Sequence, residues 1–291
     1  MAGALRWAMP SFANLMNVAL GYGAQAERRS GSKYRQPSAT LHYGAHPLQA
    51  LDLHLHPDGG TRPLLAFLHG GAWQFGDKTR RASDAKASFA HDEGWHFASL
   101  NFRPVPEVSV AVMARDAAAG VAHLFESARD HGIDDTRIVL MGHSSGAHLA
   151  ALVACNPDLL APHGLSPRDI RGVILNDGAA YLASEPSTAS GFLRRRLLDP
   201  AFAGADLAAL SPALHARSGR TAGDFLILHA ASVAIARQAR FMEDALRLAE
   251  ARVSRHGFLG KGIVNHMRLS RRFGRAGFPP TEVARKWMRA L

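Results

Sequence analysis

Gly142-His143-Ser144-Ser145-Gly146 is a G-x-S-x-G pentapeptide between an apolar run, Arg137-Ile138-Val139-Leu140-Met141, and a helix-forming run, Ala147 to Ala154. Strand, tight turn and helix in that order make a nucleophile elbow. The turn is sharp and strained, and a side chain at either glycine would collide with its neighbours. The elbow lifts the Ser144 hydroxyl clear of the backbone, ready to attack a carbonyl carbon. The helix that starts beneath it favours negative charge at the reacting centre. The chemistry such a serine performs is acyl transfer.

Acyl transfer develops an alkoxide, and backbone N–H groups must converge on it. His69-Gly70-Gly71-Ala72-Trp73 supplies the matching loop at the end of the apolar run Pro63 to Leu68. The expected donors are the amides of Gly71 and Ala72 in this loop and of Ser145 after the nucleophile. Alone, His69-Gly70-Gly71 reads as a strand-ending turn; beside the elbow it reads as half of an oxyanion site.

These loops need elements to hold them. Leu51 to His56 alternates apolar and polar residues and ends at Pro57, as a half-exposed strand does. Leu64–Leu68, Trp95–Phe102, Arg137–Met141, Gly172–Asn176 and Phe225–His229 include continuous apolar runs, the mark of central parallel strands buried on both faces. Val253–Leu259 is a weaker last strand. Met113, Ala117, Val121 and Leu124 share one helical face, and Ala239, Met242, Leu246 and Ala249 another. Strands alternating with helices imply a mostly parallel, helix-covered sheet with its ligand site at the carboxyl ends of the strands. Tyr181 to Ala222 is a long crossover with little strand character, the expected lid or pocket wall. Residues 41–291 are expected to form one domain, with the lid insertion around 181–222. Residues 1–40 read as a covering segment, a helix followed by the basic loop Glu27 to Gln36. Ala24-Gln25-Ala26 imitates a secretory cleavage site, but Pro10, Asn14 and Asn17 interrupt the apolar stretch before it.

Composition narrows the class. The chain has 291 residues, 47% of them hydrophobic, enough for a sizeable core. Its one cysteine, Cys155, excludes a disulfide scaffold and reads as a buried, inert thiol. The formal charge is +10, with arginines clustered at Arg194-Arg195-Arg196 and Arg271-Arg272. No nucleic-acid-binding module accompanies that charge, and no aromatics interleave with it, so it reads as a solvated basic surface. No apolar run reaches the roughly 20 residues of a membrane span. No His/Asp/Glu cluster has metal-ligand spacing.

Taken together, the motifs resemble those of the α/β-hydrolases, and more narrowly of bacterial esterases of the kynurenine-formamidase and feruloyl-esterase-like group. The resemblance rests on His69-Gly70-Gly71-Ala72-Trp73, Asn101-Phe102-Arg103, Gly142 to His148, Asp177-Gly178-Ala179-Ala180-Tyr181 and Asn265-His266-Met267. It covers roughly residues 40 to 290. It implies an eight-stranded, mostly parallel sheet with helices on both faces and a small lid. It assigns Ser144 as nucleophile and His266, a loop histidine after the last strand, as general base. An imidazole with an ordinary pKa near 6.5 can take and return the hydroxyl proton. Among 16 histidines, His256 and His229 are the rivals for that role. His148, one helical turn past Ser144, reads as structural.

The family pattern places an aspartate a few residues after the strand Phe225 to Leu228. This chain departs from it: no carboxylate lies between Asp224 and Glu243, and Ser232 stands at the expected place. Three explanations stay open. Another carboxylate serves, Asp177 first and Glu185 next; or the site is a weakened Ser–His dyad; or the chain is an inactive, hydrolase-fold binding protein. Trp73, His143 and Tyr181 are candidate pocket residues. The expected activity is cleavage of a small acyl ester without a cofactor, with an arylformamidase as the nearest variant. The expected partner is a small ester or amide. Neither nucleic acid nor a membrane span is expected, a homodimer stays open, and the expected location is the cytoplasm.

Overall fold

The computed structural model describes residues 36–79, 81–185, 199–260 and 262–291. Its strands are β1 (Ala39–His42), β2 (Ala50–His54), β3 (Arg62–Leu68), β4 (His96–Leu100), β5 (Ile133–His143), β6 (Gly172–Asn176), β7 (Asp224–Ala230) and β8 (Arg252–Phe258). They form one 8-stranded sheet in the order β1-β2-β4-β3-β5-β6-β7-β8. β1 pairs antiparallel with β2 and β2 with β4, whereas every pairing from β4 through β8 is parallel. The helices are α1 (Arg81–Asp92), α2 (Val110–Glu126), α3 (Ser145–Cys155), α4 (Val233–Leu248), α5 (Gly262–Arg272) and α6 (Pro279–Met288), with shorter turns such as Asp199–Phe202 and Pro212–Ala216.

The continuous apolar runs produce two cores, because alternate residues of a strand face opposite sides of its sheet. Leu64, Ala66, Leu68, Leu140 and Leu175 face α2, α3 and α4, packing with Val121, Leu149 and Met242. Leu65, Phe67, Val139, Met141 and Leu228 face the other side, packing with Phe89 of α1, Phe273 just past α5, and Ala284 and Met288 of α6. This is an α/β-hydrolase fold. Among the described residues no helix is long and apolar enough to cross a membrane.

Two expected boundaries shift. β1 begins at Ala39, so the sheet starts inside the expected covering segment, whose first 35 residues lie outside the described ones. β5 begins at Ile133 rather than Arg137 because its first residues continue the parallel edge along β3, where Arg62 pairs with Ile133. Of the 181–222 crossover, residues 186–198 lie outside the described ones, and the remainder contains no strand.

Several histidines are buried as neutral rings. Burial lowers the pKa of His54 and His148 to about 4, and that of His96 below its ordinary value. For a histidine so depressed, the unfolded chain binds the proton first, near pH 6.5. The stability these rings hold is therefore intact above pH 6.5 and is lost as pH falls toward 4. At pH 5 the loss is about 2 kcal/mol for each of His54 and His148. Thermal melts at pH 7 and pH 5 should show a lower midpoint at pH 5, and His148→Gln should shrink the difference.

Candidate active site

The chain leaves β3 toward β4 on one side and returns to β5 on the other, so the loops after β3 and β5 open a crevice at a topological switch point. Both predicted loops lie there. Ser144 sits between β5 and α3 with φ 56° and ψ −121°, a strained conformation for a residue with a side chain. The elbow packs tightly against the neighbouring strand. A Cβ on Gly146 would lie 2.2 Å from the carbonyl oxygen of Leu68, so only glycine lets α3 start this close to β3. Ser144 remains partly exposed.

Three side chains from different elements meet at this point. His266 Nε2 lies 3.0 Å from Ser144 Oγ, and His266 Nδ1 lies 2.7 Å from Asp177 Oδ2. Asp177 is fully buried. Its other oxygen, Oδ1, accepts the Ala230 amide at 2.7 Å, and its own amide donates to the Leu228 carbonyl at 2.7 Å. A buried carboxylate needs hydrogen-bond donors on both oxygens, and Ala230 and His266 supply them. With its oxygens committed as acceptors, Asp177 holds the proton on Nδ1 and leaves Nε2 to accept from Ser144.

His266 lies on α5, one turn from its start, not on the expected loop. A helix holds the ring more rigidly than a loop would. The rivals lie elsewhere. His256 is exposed on the edge strand β8. His229 accepts from Arg255 at 3.0 Å and donates Nδ1–H to the Ala230 carbonyl at 2.9 Å. Glu185 pairs with Arg237 at 2.9 Å. Ser232 caps α4 without a side-chain hydrogen bond.

On the oxyanion side, Gly71 differs from expectation. Its amide donates to Ser145 Oγ at 3.0 Å, which ties the β3 loop to the elbow and occupies the N–H. The amides of Ala72 and Ser145 make no backbone hydrogen bond among the described residues. Ala72 and Trp73 both have positive φ, 52° and 61°, and this turns the loop over the crevice. His69 stacks on Phe102 with ring centroids 4.4 Å apart and anchors the start of the loop.

The three candidate pocket residues are all covered. Trp73 donates its indole N–H to His148 Nδ1 at 3.2 Å and meets Phe202 edge-on at 4.8 Å. His148 in turn donates Nε2–H to the Leu210 carbonyl at 2.8 Å, so it is a neutral strut between the oxyanion loop and the crossover. His143 donates to the His266 carbonyl at 3.2 Å and packs its ring 4.6 Å from the His266 ring. Tyr181 lies over Gly178 beside Asp177. Burial, reinforced by the Asp177 charge, holds its phenol well above the ordinary range, so it stays protonated. These side chains brace the walls of the crevice rather than form an open surface.

Known proteins resemble this chain in part of its sequence and in its fold. The BD-FAE family matches residues 51–161, the stretch that includes both the oxyanion loop and the elbow. A probable isoprenylcysteine alpha-carbonyl methylesterase, ICMEL1 of Arabidopsis thaliana, is 36% identical over 110 residues, covering 38% of this chain and 23% of that protein. Esterase LipQ of Mycobacterium tuberculosis is 29% identical over 160 residues, covering 50% of this chain and 38% of that protein. The chain thus spans well under half the length of these relatives. In fold it is similar to esterase B from Lactobacillus rhamnosis, with a TM-score of 0.69 at 20% identity over 96% of this chain and 91% of that one. It is also similar to a thermostable esterase from Pseudomonas putida ECU1011, with a TM-score of 0.72 at 16% identity over 95% and 88%. In fold, in the matched region and in the esterases it resembles, the chain is similar to esterases with the α/β-hydrolase fold.

Proposed function

We propose that the chain is a serine carboxylesterase that cleaves small acyl esters through an acyl-enzyme. Ser144 attacks the ester carbonyl while His266 Nε2 takes its proton. The imidazolium that forms is stabilised by Asp177, which stands in for the carboxylate missing at Ser232. The amides of Ala72 and Ser145 receive the developing oxyanion, and Gly71 serves by locking Ser145 against the loop. His266 then returns the proton to the leaving alcohol. Water, activated by the same imidazole, releases the acid and restores Ser144.

The observation that carries this reading is the unbroken hydrogen-bonded run from Ser144 Oγ through His266 to Asp177. It favours a working triad over a dyad or an inactive scaffold. The test is incubation with a fluorophosphonate probe, peptide mapping of the adduct, and hydrolysis of a short aryl ester. The expected result is one adduct on Ser144 and turnover that the probe abolishes. A chain that neither hydrolyses the ester nor takes the label is a binding protein on a hydrolase fold. The same machinery would cleave an N-formyl group, and faster turnover of N-formylkynurenine than of aryl esters would move the assignment to an arylformamidase.

A further inference from the structure

Two buried polar side chains, Lys86 and Asn176, take no part in the chemistry, yet both grip the helix that carries His266. Lys86 projects from α1, and its Nζ donates to the carbonyl of Ser270 at 2.9 Å. Asn176, the last residue of β6, donates Nδ2–H to the carbonyl of Leu269 at 3.1 Å. Leu269 and Ser270 stand three and four residues past His266, one turn along the same side of α5. Their carbonyls belong to the last turn of α5, where a helix leaves carbonyls to be satisfied from outside.

Both residues are costly to bury. Lys86 is fully buried, with its ammonium 4.6 Å from the Phe67 ring centroid and 5.9 Å from that of Phe273. Burial lowers its pKa to about 7, so an apolar side chain of the same length would sit there at less cost. A cation at a helix C-terminus is, however, well placed against the helix dipole. Asn176 is also fully buried, and its Oδ1 has no hydrogen-bond partner among the described residues. An orphaned buried oxygen destabilises the fold, so the retained feature is the Nδ2 donor. Asn176 also touches the other two site residues. Its carbonyl accepts the Ser144 amide at 3.1 Å, and the next residue is Asp177.

We propose that Lys86 and Asn176 are positioning residues, a two-point clamp on the last turn of α5 that sets His266 in line between Ser144 and Asp177. The inference rests on the triad reading above. Neither side chain touches a reacting atom. Loosening the clamp lets α5 slide along the sheet, and small errors in the placement of a proton carrier act on turnover more than on substrate binding.

Lys86→Met and Asn176→Leu preserve bulk and remove one donor each, while Lys86→Gln keeps an N–H donor without the charge. With both variants folded by thermal melt, kcat for a short aryl ester should fall about 10- to 100-fold with little change in KM. Lys86→Gln should recover part of the loss, which a purely volumetric role would not predict. The far-downfield proton resonance of His266 Nδ1–H, sharp in the parent protein, should broaden or vanish in Asn176→Leu. Folded variants with unchanged kcat and an unchanged resonance, or a loss that falls on KM alone, would overturn the clamp. Should Asn176→Leu fail to fold, the Lys86→Met and Lys86→Gln pair decides the matter with the same two readouts. A parent protein without turnover would sink the esterase reading, and the resonance would still test the clamp.

Discussion

Asp177→Asn should lower kcat for a short aryl ester about 10⁴-fold while leaving the fold intact, as neutralising the acid does in serine proteases. The substitution is nearly isosteric, and an asparagine oxygen can still accept the Ala230 amide, which now bonds Oδ1 at 2.7 Å. What changes is the atom facing His266. The carboxylate oxygen that lies 2.7 Å from Nδ1 becomes an NH2 group, a donor opposite a donor. The imidazole answers by shifting its proton to Nε2, where it points at Ser144 Oγ and cannot accept from it. The charge that would stabilise the imidazolium is lost at the same time. Ser232→Ala, by contrast, should leave turnover unchanged, because the Ser232 side chain makes no capping hydrogen bond to lose. A drop of less than about tenfold in Asp177→Asn would remove Asp177 from the role of acid, since loss of a working triad carboxylate costs far more.

Gly71→Ala should cost about 10²- to 10³-fold in kcat, the range seen when an oxyanion donor is removed. A Cβ at this position would lie 1.7 Å from the carbonyl oxygen of Phe75, a backbone atom that cannot swing aside. The loop is closed by the Phe75 amide, which donates to the Gly71 carbonyl at 2.9 Å, so relief requires the whole turn to open. Opening it carries the Ala72 amide away from the crevice and breaks the Gly71–Ser145 bond of 3.0 Å that ties loop to elbow. KM should move less than kcat, because the lost interaction is made with the oxyanion rather than with the resting carbonyl. The measurement is steady-state kinetics beside a melting curve. A stable variant with kcat within tenfold of the parent would show that Ala72 donates nothing to the transition state.

Both expectations lean on features that differ in how far they could be read from the chain itself. The apolar runs at 64–68, 137–141, 172–176 and 225–229 identified the central strands, because a strand buried on two faces must be apolar at nearly every position. β1 has no such signal because Ala39–His42 is a short edge strand, half-exposed and without a buried face to pattern it. β8 is at least as exposed, and its weak apolar signal has the same cause. His266 is legible as a histidine near the end of the chain, but not as a helical residue, since the stretch Leu259-Gly260-Lys261 before Gly262–Arg272 carries no Ser, Thr, Asp or Asn to signal a helix start.

The sequence alone determined what lies within a few residues of itself: an elbow whose glycines admit close backbone contact, a glycine loop at the end of a strand, and the alternation that builds a parallel sheet around them. Which carboxylate faces His266 was decided only in three dimensions. The partners are 89 residues apart, and their meeting depends on β6 lying between β5 and β7. The engagement of Gly71 by Ser145, 74 residues away, and of Ser270 by Lys86, 184 residues away, has the same origin. Local backbone geometry is written in neighbouring residues, whereas the choice among several similar carboxylates and amides is made by whichever one the packed sheet delivers within hydrogen-bond reach.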